Sequence, residues 1–254
     1  FHKENTPSFF VDTGTNTWKC YGGCHSGGNV ISLYRKLKND LPFPIACKEL
    51  AKKYLNEDIE DDYKPSKEEE EKQKEKESLQ IILSYAQEFY VQCIHEVNPA
   101  ANKARETVRK RWGADAIERF GIGYAPRDGF IEWAMRKGLD FDLLEQVGLI
   151  GIGERGKYAM LRDRYTIPIY DKMSNVIGFT ARTMSDDKDI CKYLNLKNSL
   201  VYAKDKSVFG INFAQKEARL KNKFYLVEGA PDVVKLQSIE ILNTVASLGA
   251  PCLS

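Results

Sequence analysis

From Glu57 to Glu77 the chain offers a hydrophobic core almost nothing. Asp61-Asp62-Tyr63-Lys64-Pro65-Ser66-Lys67 runs into Glu68-Glu69-Glu70-Glu71-Lys72-Gln73-Lys74-Glu75-Lys76-Glu77, a stretch nearly free of apolar side chains. Such a segment cannot recover its ordering entropy by burial. It reads as a solvated linker, residues 57–78, helical toward its end, so folded structure has to be built separately on either side of it. The expected organisation is a small module over residues 1–56 and, beyond the linker, a larger domain over 79–222 followed by the start of a βαβ unit over 223–254. A length of 254 residues is compatible with one or two domains and a small extra module.

The first module is rich in Thr, Gly, aromatics and Cys. Ser8-Phe9-Phe10-Val11 and Thr17-Trp18-Lys19-Cys20-Tyr21 read as two short strands around a turn at Asp12-Thr13-Gly14-Thr15-Asn16. A hairpin of this size has little core and needs a staple. Cys20-x-x-x-Cys24 supplies two close thiols, and structural zinc takes four Cys or His ligands presented in such pairs. His2 lies on the far side of the hairpin, and its pair partner would precede Phe1; His25 is an alternative ligand. Asn29 to Lys38 and Ile45 to Leu55 read as helices. Trp18 and Tyr21 are expected as exposed aromatics able to stack on bases or to serve packing. Cys47, Cys93 and Cys191 sit in apolar or helical settings and read as buried small hydrophobes. Six cysteines are too few for a disulfide scaffold, and no apolar run reaches the roughly 18–20 residues of a membrane span, so a reducing, cytoplasmic setting is expected.

Beyond the linker, Leu79, Ile82, Leu83, Ala86, Phe89, Tyr90 and Cys93 form a helical stripe, and short helices follow over about 103–111, 116–120, 130–137 and 142–147. The texture then turns to strands at Tyr165–Tyr170, Val176–Ala181 and Phe224–Val227, with a further one over Leu200–Asp205, and helix over Phe213–Arg219. Charge is segregated. Residues 40–100 carry 15 acidic and 8 basic side chains, whereas 101–224 carry 24 basic and 16 acidic. A polyanion partner for the second stretch follows. Arg162, Arg164, Arg182, Lys192, Asn195 and Lys204 lie at or beside predicted strand ends, where cations converge on a surface suited to phosphate and single-stranded backbone. Val227-Glu228-Gly229-Ala230-Pro231-Asp232 ends a predicted parallel strand and opens a helix, the start of a βαβ unit. Gly229 is expected to permit a tight turn. Glu228 and Asp232, within one helical turn, can face one Mg²⁺ or Mn²⁺.

Taken together these residues resemble the bacterial replicative primases of the DnaG type. Phe1-His2-Lys3-Glu4-Asn5-Thr6-Pro7-Ser8-Phe9 is similar to the family's C-P-F-H-x-E-x-T-P-S-F. Lys19-Cys20-Tyr21-Gly22-Gly23-Cys24-His25-Ser26-Gly27-Gly28-Asn29 is similar to K-C-F-G-C-x-x-G-G-D, with one extra Gly between the cysteines and Asn29 in place of Asp. Further on, Arg119 to Pro126 resembles F-x-I-G-Y-A-P, Arg162 to Ile169 resembles R-x-R-x-x-F-P-I, Gly178 to Arg182 resembles G-F-x-x-R, and Lys192-Tyr193-Leu194-Asn195 resembles K-Y-L-N. Leu226 to Val234 is similar to the opening of the toprim fold, V-E-G-x-x-D-V.

The resemblance implies an α+β multidomain protein: a zinc-ribbon β module with helices, a mixed α/β basic domain, and the start of a Rossmann-like toprim domain. The chain starts at Phe1 without Met and stops in mid-pattern, so it is expected to be cut at both ends, the fragment alone being inactive. The implied activity is DNA-templated synthesis of short RNA primers from ribonucleoside triphosphates on single-stranded DNA. Structural Zn²⁺ and catalytic Mg²⁺ or Mn²⁺ are the implied cofactors. Glu228 and Asp232 are the implied catalytic carboxylates, joined by later acidic residues, and a replicative helicase is the implied partner through a C-terminal region. The alternatives are a non-catalytic zinc-containing module that binds single strands, or a phage or mobile-element primase fused to a helicase. Another toprim enzyme, a topoisomerase or nuclease, would call for a nucleophilic Tyr domain or an ATPase domain, and neither is visible.

Overall fold

A computed structural model describes residues 7–22, 26–38, 40–58, 66–154 and 156–248. His2, Cys24 and His25, and the residues after Leu248, lie outside them. The chain divides into two compact units, Phe1–Glu77 with Met173–Asn175, and Ser78–Lys172 with Val176–Ser254.

In the first unit, β1 (Phe9–Asp12), β2 (Thr17–Cys20) and β3 (Gly27–Asn29) form an antiparallel sheet in that order. The Asp12 carboxylate accepts the N–H groups of Gly14 (2.8 Å) and Thr15 (3.2 Å), which closes the expected turn. The third strand was not anticipated: Gly27-Gly28-Asn29 has no strand-forming composition and is held by its pairing with Thr17–Lys19. Asn29 caps α1 (Val30–Leu37), its side chain accepting the Ser32 N–H at 2.9 Å. Then α2 (Phe43–Leu50) runs into a π-helical turn, Ala51–Leu55. Trp18 is not an exposed base-stacking ring. It is 2% exposed, stacked on Phe9 at 5.6 Å, and its Nε1–H donates to Ser32 Oγ at 2.9 Å. Tyr21 does remain exposed and meets Phe10 edge-on at 5.7 Å.

The charged run is helical over its second half. Helix α3 spans Lys67–His95. Its start is a capping box: Ser66 Oγ accepts the Glu69 N–H (3.2 Å), and the Glu69 carboxylate accepts the Ser66 N–H (2.8 Å). The first turns bury nothing, while from Leu79 onward the stripe expected from periodicity enters the core.

The second unit is built on a four-stranded antiparallel sheet ordered β4 (Gly123–Ala125), β7 (Arg164–Tyr170), β8 (Val176–Thr183), β9 (Tyr193–Asn195), and also contains a two-stranded hairpin, β5 (Ile150–Gly153) and β6 (Gly156–Ala159). Helices α4 (Pro99–Trp112), α5 (Ala116–Phe120), α6 (Phe130–Arg136) and α7 (Phe141–Gln146) surround it. One face packs on α3, where Phe179 meets Tyr90 edge-on at 5.5 Å and Tyr90 stacks with Phe130. Gly123 makes this approach possible. A Cβ there would sit 2.6 Å from the Tyr90 backbone carbon, closer than real contacts allow.

A separate small sheet ordered β10 (Val208–Phe209), β12 (Thr244–Ser247), β11 (Tyr225–Val227) follows, with α8 (Ile211–Lys221) and α9 (Ala230–Ser238). Strands β11 and β12 are parallel and connected through α9, as the sequence pattern requires. Leu200–Asp205 is not a strand. Tyr202 is buried beneath Gly178, and the Ser199 hydroxyl and N–H fold the segment into a turn with no partner strand.

Candidate functional site

The strand register decides where the basic residues point. Tyr165 pairs with Arg182, and Arg182 with Tyr193; Ile167 pairs with Thr180, and Thr180 with Asn195. Paired residues share a face, so Tyr165, Arg182, Tyr193 and Asn195 lie on one side of the sheet. Arg164, one residue from Tyr165, is thereby forced to the other side, with Thr166 and Ala181.

Arg164 is consequently not part of an open cationic groove. It is 7% exposed, and its guanidinium donates to the carbonyls of Cys191 (2.9 Å), Ala181 (3.4 Å) and Lys192 (3.5 Å). Burial lowers its pKa. The charge is spent on backbone oxygens, and the effect is to hold the segment that enters β9. Cys191 itself is exposed, contrary to expectation, and its thiol contacts the Tyr193 carbonyl oxygen at 3.0 Å.

Arg182 lies between two phenol rings, 6.0 Å from the Tyr165 centroid and 5.9 Å from that of Tyr193, and donates to Tyr165 Oη at 3.5 Å. Its Nε is buried with no hydrogen-bond partner among the described residues. Tyr165 is fully buried, which raises its pKa and keeps the phenol neutral beside the cation. Lys192, Lys204 and Arg162 are exposed, and Arg162 lies over the Tyr158 ring at 5.5 Å. Asn195 is half-buried on edge strand β9 and lines a cleft with Glu145, Met160 and Lys197. Between Arg162 and Arg164, Asp163 accepts from Tyr124 Oη at 3.2 Å, and burial together with that carboxylate pushes the Tyr124 phenol up to about 12.

Glu228 follows the last residue of β11, and Asp232 lies in the first turn of α9; both are exposed. Gly229 does not make a tight turn. It is extended (φ −154°, ψ 166°), a conformation open to any residue, and a Cβ there would meet only ordinary contacts. Pro231 occupies the first helical turn, as expected.

Two aromatic residues that sequence reasoning did not single out connect these groups. Trp112, at the end of α4, is 3% exposed, and its Nε1–H donates to the Pro231 carbonyl at 3.1 Å. Its ring meets Tyr165 edge-on, centroids 5.7 Å apart and planes at 88°. The acidic loop and the Arg182 face are therefore ends of one contiguous set of contacts. The only local signal was a large aromatic at a helix end, in Arg109-Lys110-Arg111-Trp112-Gly113. Among the described residues no group of three or more His, Cys, Asp or Glu converges on a metal position. Cys20, buried at the end of β2, is the one expected zinc ligand within them.

Comparison with known proteins gives this arrangement its family. The model of the DNA primase catalytic core, N-terminal domain, matches residues 89–215, half of the chain, and that of the CHC2 zinc finger matches residues 1–67. The chain belongs to the DnaG primase family. The DNA primase of Pseudomonas putida is 34% identical over 98% of the chain, and that of Salmonella typhimurium 33% over 98%. The chain spans about two fifths of the length of these relatives, 37% and 42%. Among solved structures, the zinc-binding and RNA polymerase domains of the Aquifex aeolicus primase match with a TM-score of 0.64 at 30% identity, over 98% of this chain and 58% of that one. A DnaG primase catalytic domain bound to single-stranded DNA matches with a TM-score of 0.62 at 32% identity, over 70% of this chain and 57% of that one. The zinc-finger match supports a structural zinc in the first unit of this primase-family chain, and Cys20 has the chemistry for it. No described helix is long and apolar enough to cross a membrane.

Proposed function

We propose that the chain is the zinc-binding and basic-domain portion of a DNA primase, with residues 1–56 as the zinc module, 57–78 as the linking segment, 79–222 as the basic domain and 223–254 as the start of the toprim domain. In the complete protein, working in the cytoplasm, it takes part in RNA primer synthesis on single-stranded DNA from ribonucleoside triphosphates. A replicative helicase would be engaged by a region outside this chain. The observation that supports this reading best is the juxtaposition within one unit of the Arg182 face and the Glu228–Asp232 loop, in a chain whose relatives are DNA primases over nearly its whole length.

In that reading Arg182, Lys192, Asn195 and Lys204 hold template and nucleotide, and Arg162 adds a cation at the strand entrance. Arg164 shapes the β9 entrance from within. Tyr165 and Tyr193 fix the Arg182 guanidinium in direction, which lets it meet a phosphate without first losing rotamer freedom. Glu228 and Asp232 are exposed carboxylates within one helical turn of each other in sequence, and their oxygens suit Mg²⁺ or Mn²⁺. Such an ion would supply charge neutralisation on the triphosphate and would lower the pKa of the attacking 3′-hydroxyl. His2, Cys20 and Cys24, with His25 as the alternative to Cys24, would hold the zinc.

The test is primer synthesis on single-stranded DNA by the full-length protein. Glu228→Gln keeps the side chain's shape and removes its charge. Synthesis is expected to fall at least about 10²-fold, roughly 3 kcal/mol of transition-state stabilisation. Full activity in this variant at ordinary Mg²⁺ would remove Glu228 from the reaction and favour the non-catalytic binding module.

A further inference from the structure

We infer that Trp112 is a positioning residue for the Glu228–Asp232 loop, holding that carboxylate pair in fixed relation to the Arg182 face of the sheet. The inference rests on the reading of Glu228 and Asp232 as divalent-cation ligands, and it goes beyond it by naming what holds them.

The loop needs such a support. Glu228 and Asp232 are exposed, and the Gly229 that separates Glu228 from the helix adds no side chain to the packing. Strand β11 is short and largely exposed. What anchors the segment is α9, through buried Ala230, Val233 and Val234, and the bond from Trp112 Nε1 to the Pro231 carbonyl in that helix's first turn. Pro231 is bracketed by the two parts of the motif, one residue from Asp232 and three from Glu228, so fixing its carbonyl restricts both carboxylates. Pro231 also has a locked φ, which passes that restraint along the backbone.

Trp112 is itself over-determined. It is the last residue of α4, nearly fully buried, with Arg111 over its ring at 5.2 Å and Tyr165 against its edge. Tyr165 in turn accepts from Arg182. An indole between the Glu228–Asp232 segment and the Arg182 face does more than fill space, because its single N–H is directed at the Pro231 carbonyl in the first turn of α9. A Phe in that place would keep the ring contact with Tyr165 and lose the directional bond.

The experiment uses the full-length protein and has a readout besides activity. Mn²⁺ affinity is measured by electron paramagnetic resonance of the free ion for wild type, Trp112→Phe and Glu228→Gln, alongside single-strand affinity at several salt concentrations. For Trp112→Phe the expected result is Mn²⁺ binding weakened about three- to tenfold, the size of one neutral hydrogen bond, with single-strand affinity and salt slope within about twofold of wild type. Should Trp112→Phe fold poorly, Trp112→3-benzothienylalanine, an isostere without the N–H, is expected to give the same weakening. Unchanged Mn²⁺ binding in the variant, where Glu228→Gln loses it, would overturn the positioning role and leave the metal reading standing. Unchanged binding in Glu228→Gln as well would overturn the metal reading and this inference with it.

Discussion

At the scale of single residues, the instructive pair is Arg164 and Arg182. Both stand beside strand ends in a basic stretch, and by spacing they were indistinguishable. The pairing of Tyr165 with Arg182 puts them on opposite faces, so one guanidinium is consumed by three carbonyls and the other remains beside two phenols. Their substitutions should therefore behave differently. Arg182→Ala is expected to weaken single-strand binding and to lower the salt slope by about 0.7, the contribution of one neutralised phosphate on a single strand. Arg164→Met is expected to lower stability by about 2–4 kcal/mol by leaving buried carbonyls without donors, with the salt slope unchanged. Denaturant melts and binding isotherms at three salt concentrations separate the two. Arg162, Lys192 and Lys204 were recognisable from sequence as exposed cations. Arg164 was not recognisable as buried, because a strand's face assignment depends on its register with a distant partner. Trp112 was invisible for a related reason: its partner, Pro231, lies 119 residues away.

At the scale of elements, hydrophobic periodicity located α3 from Leu79 onward, and most helices came within a few residues of their positions. The expected helical end of the charged run is the first three turns of α3, whose helical character lies in a capping box and in acidic side chains near the N-terminus, where the helix dipole favours them, and not in an apolar stripe. The shortest strands were missed. β3, β4, β9 and β10 have two or three residues each, too few for alternation to register, and exist because neighbouring strands need hydrogen-bond partners. Gly123 shows how one residue admits one element to another. Strand β4 lies against the α3 backbone only because no Cβ intervenes. Gly123→Ala is expected to cost about 2–3 kcal/mol or more through overpacking, read from a shifted denaturation midpoint with the m-value unchanged. A wild-type midpoint in that variant would mean that β4 can move off α3 freely.

At the scale of the whole molecule, the two units depend on different sources of stability. The second buries an aromatic cluster of Phe89, Tyr90, Phe130, Trp133 and Phe179. The first, among the described residues, buries little beyond Trp18, Cys20, Pro44, Ala46 and Ala51. In the zinc-loaded full-length protein, a chelator is expected to expose Trp18, giving a red-shifted fluorescence component that Trp18→Phe abolishes, while the near-ultraviolet signal of the second unit persists. No change on complete metal removal would mean that the hairpin holds without its staple. The second unit has its own signature at high pH. Burial raises Tyr90 and Tyr165, and pushes Tyr124 and Cys93 up to about 12. In the unfolded chain the phenols ionise near 10 and the thiol near 9, so stability is complete below those values and is lost as pH rises toward about 12. Unfolding free energies that stay flat from pH 9 to 11.5 would contradict this burial. By itself the sequence determined the charged break ahead of Leu79, the cysteine-bearing hairpin, the basic character of residues 101–224 and the carboxylates after a parallel strand, because composition, spacing and local periodicity are properties of neighbours along the chain. Only the tertiary structure decided which cations stay exposed, which one is turned inward, and which indole donates to the Pro231 carbonyl. Those outcomes depend on strand register and on contacts between residues far apart in sequence, and no local pattern encodes them.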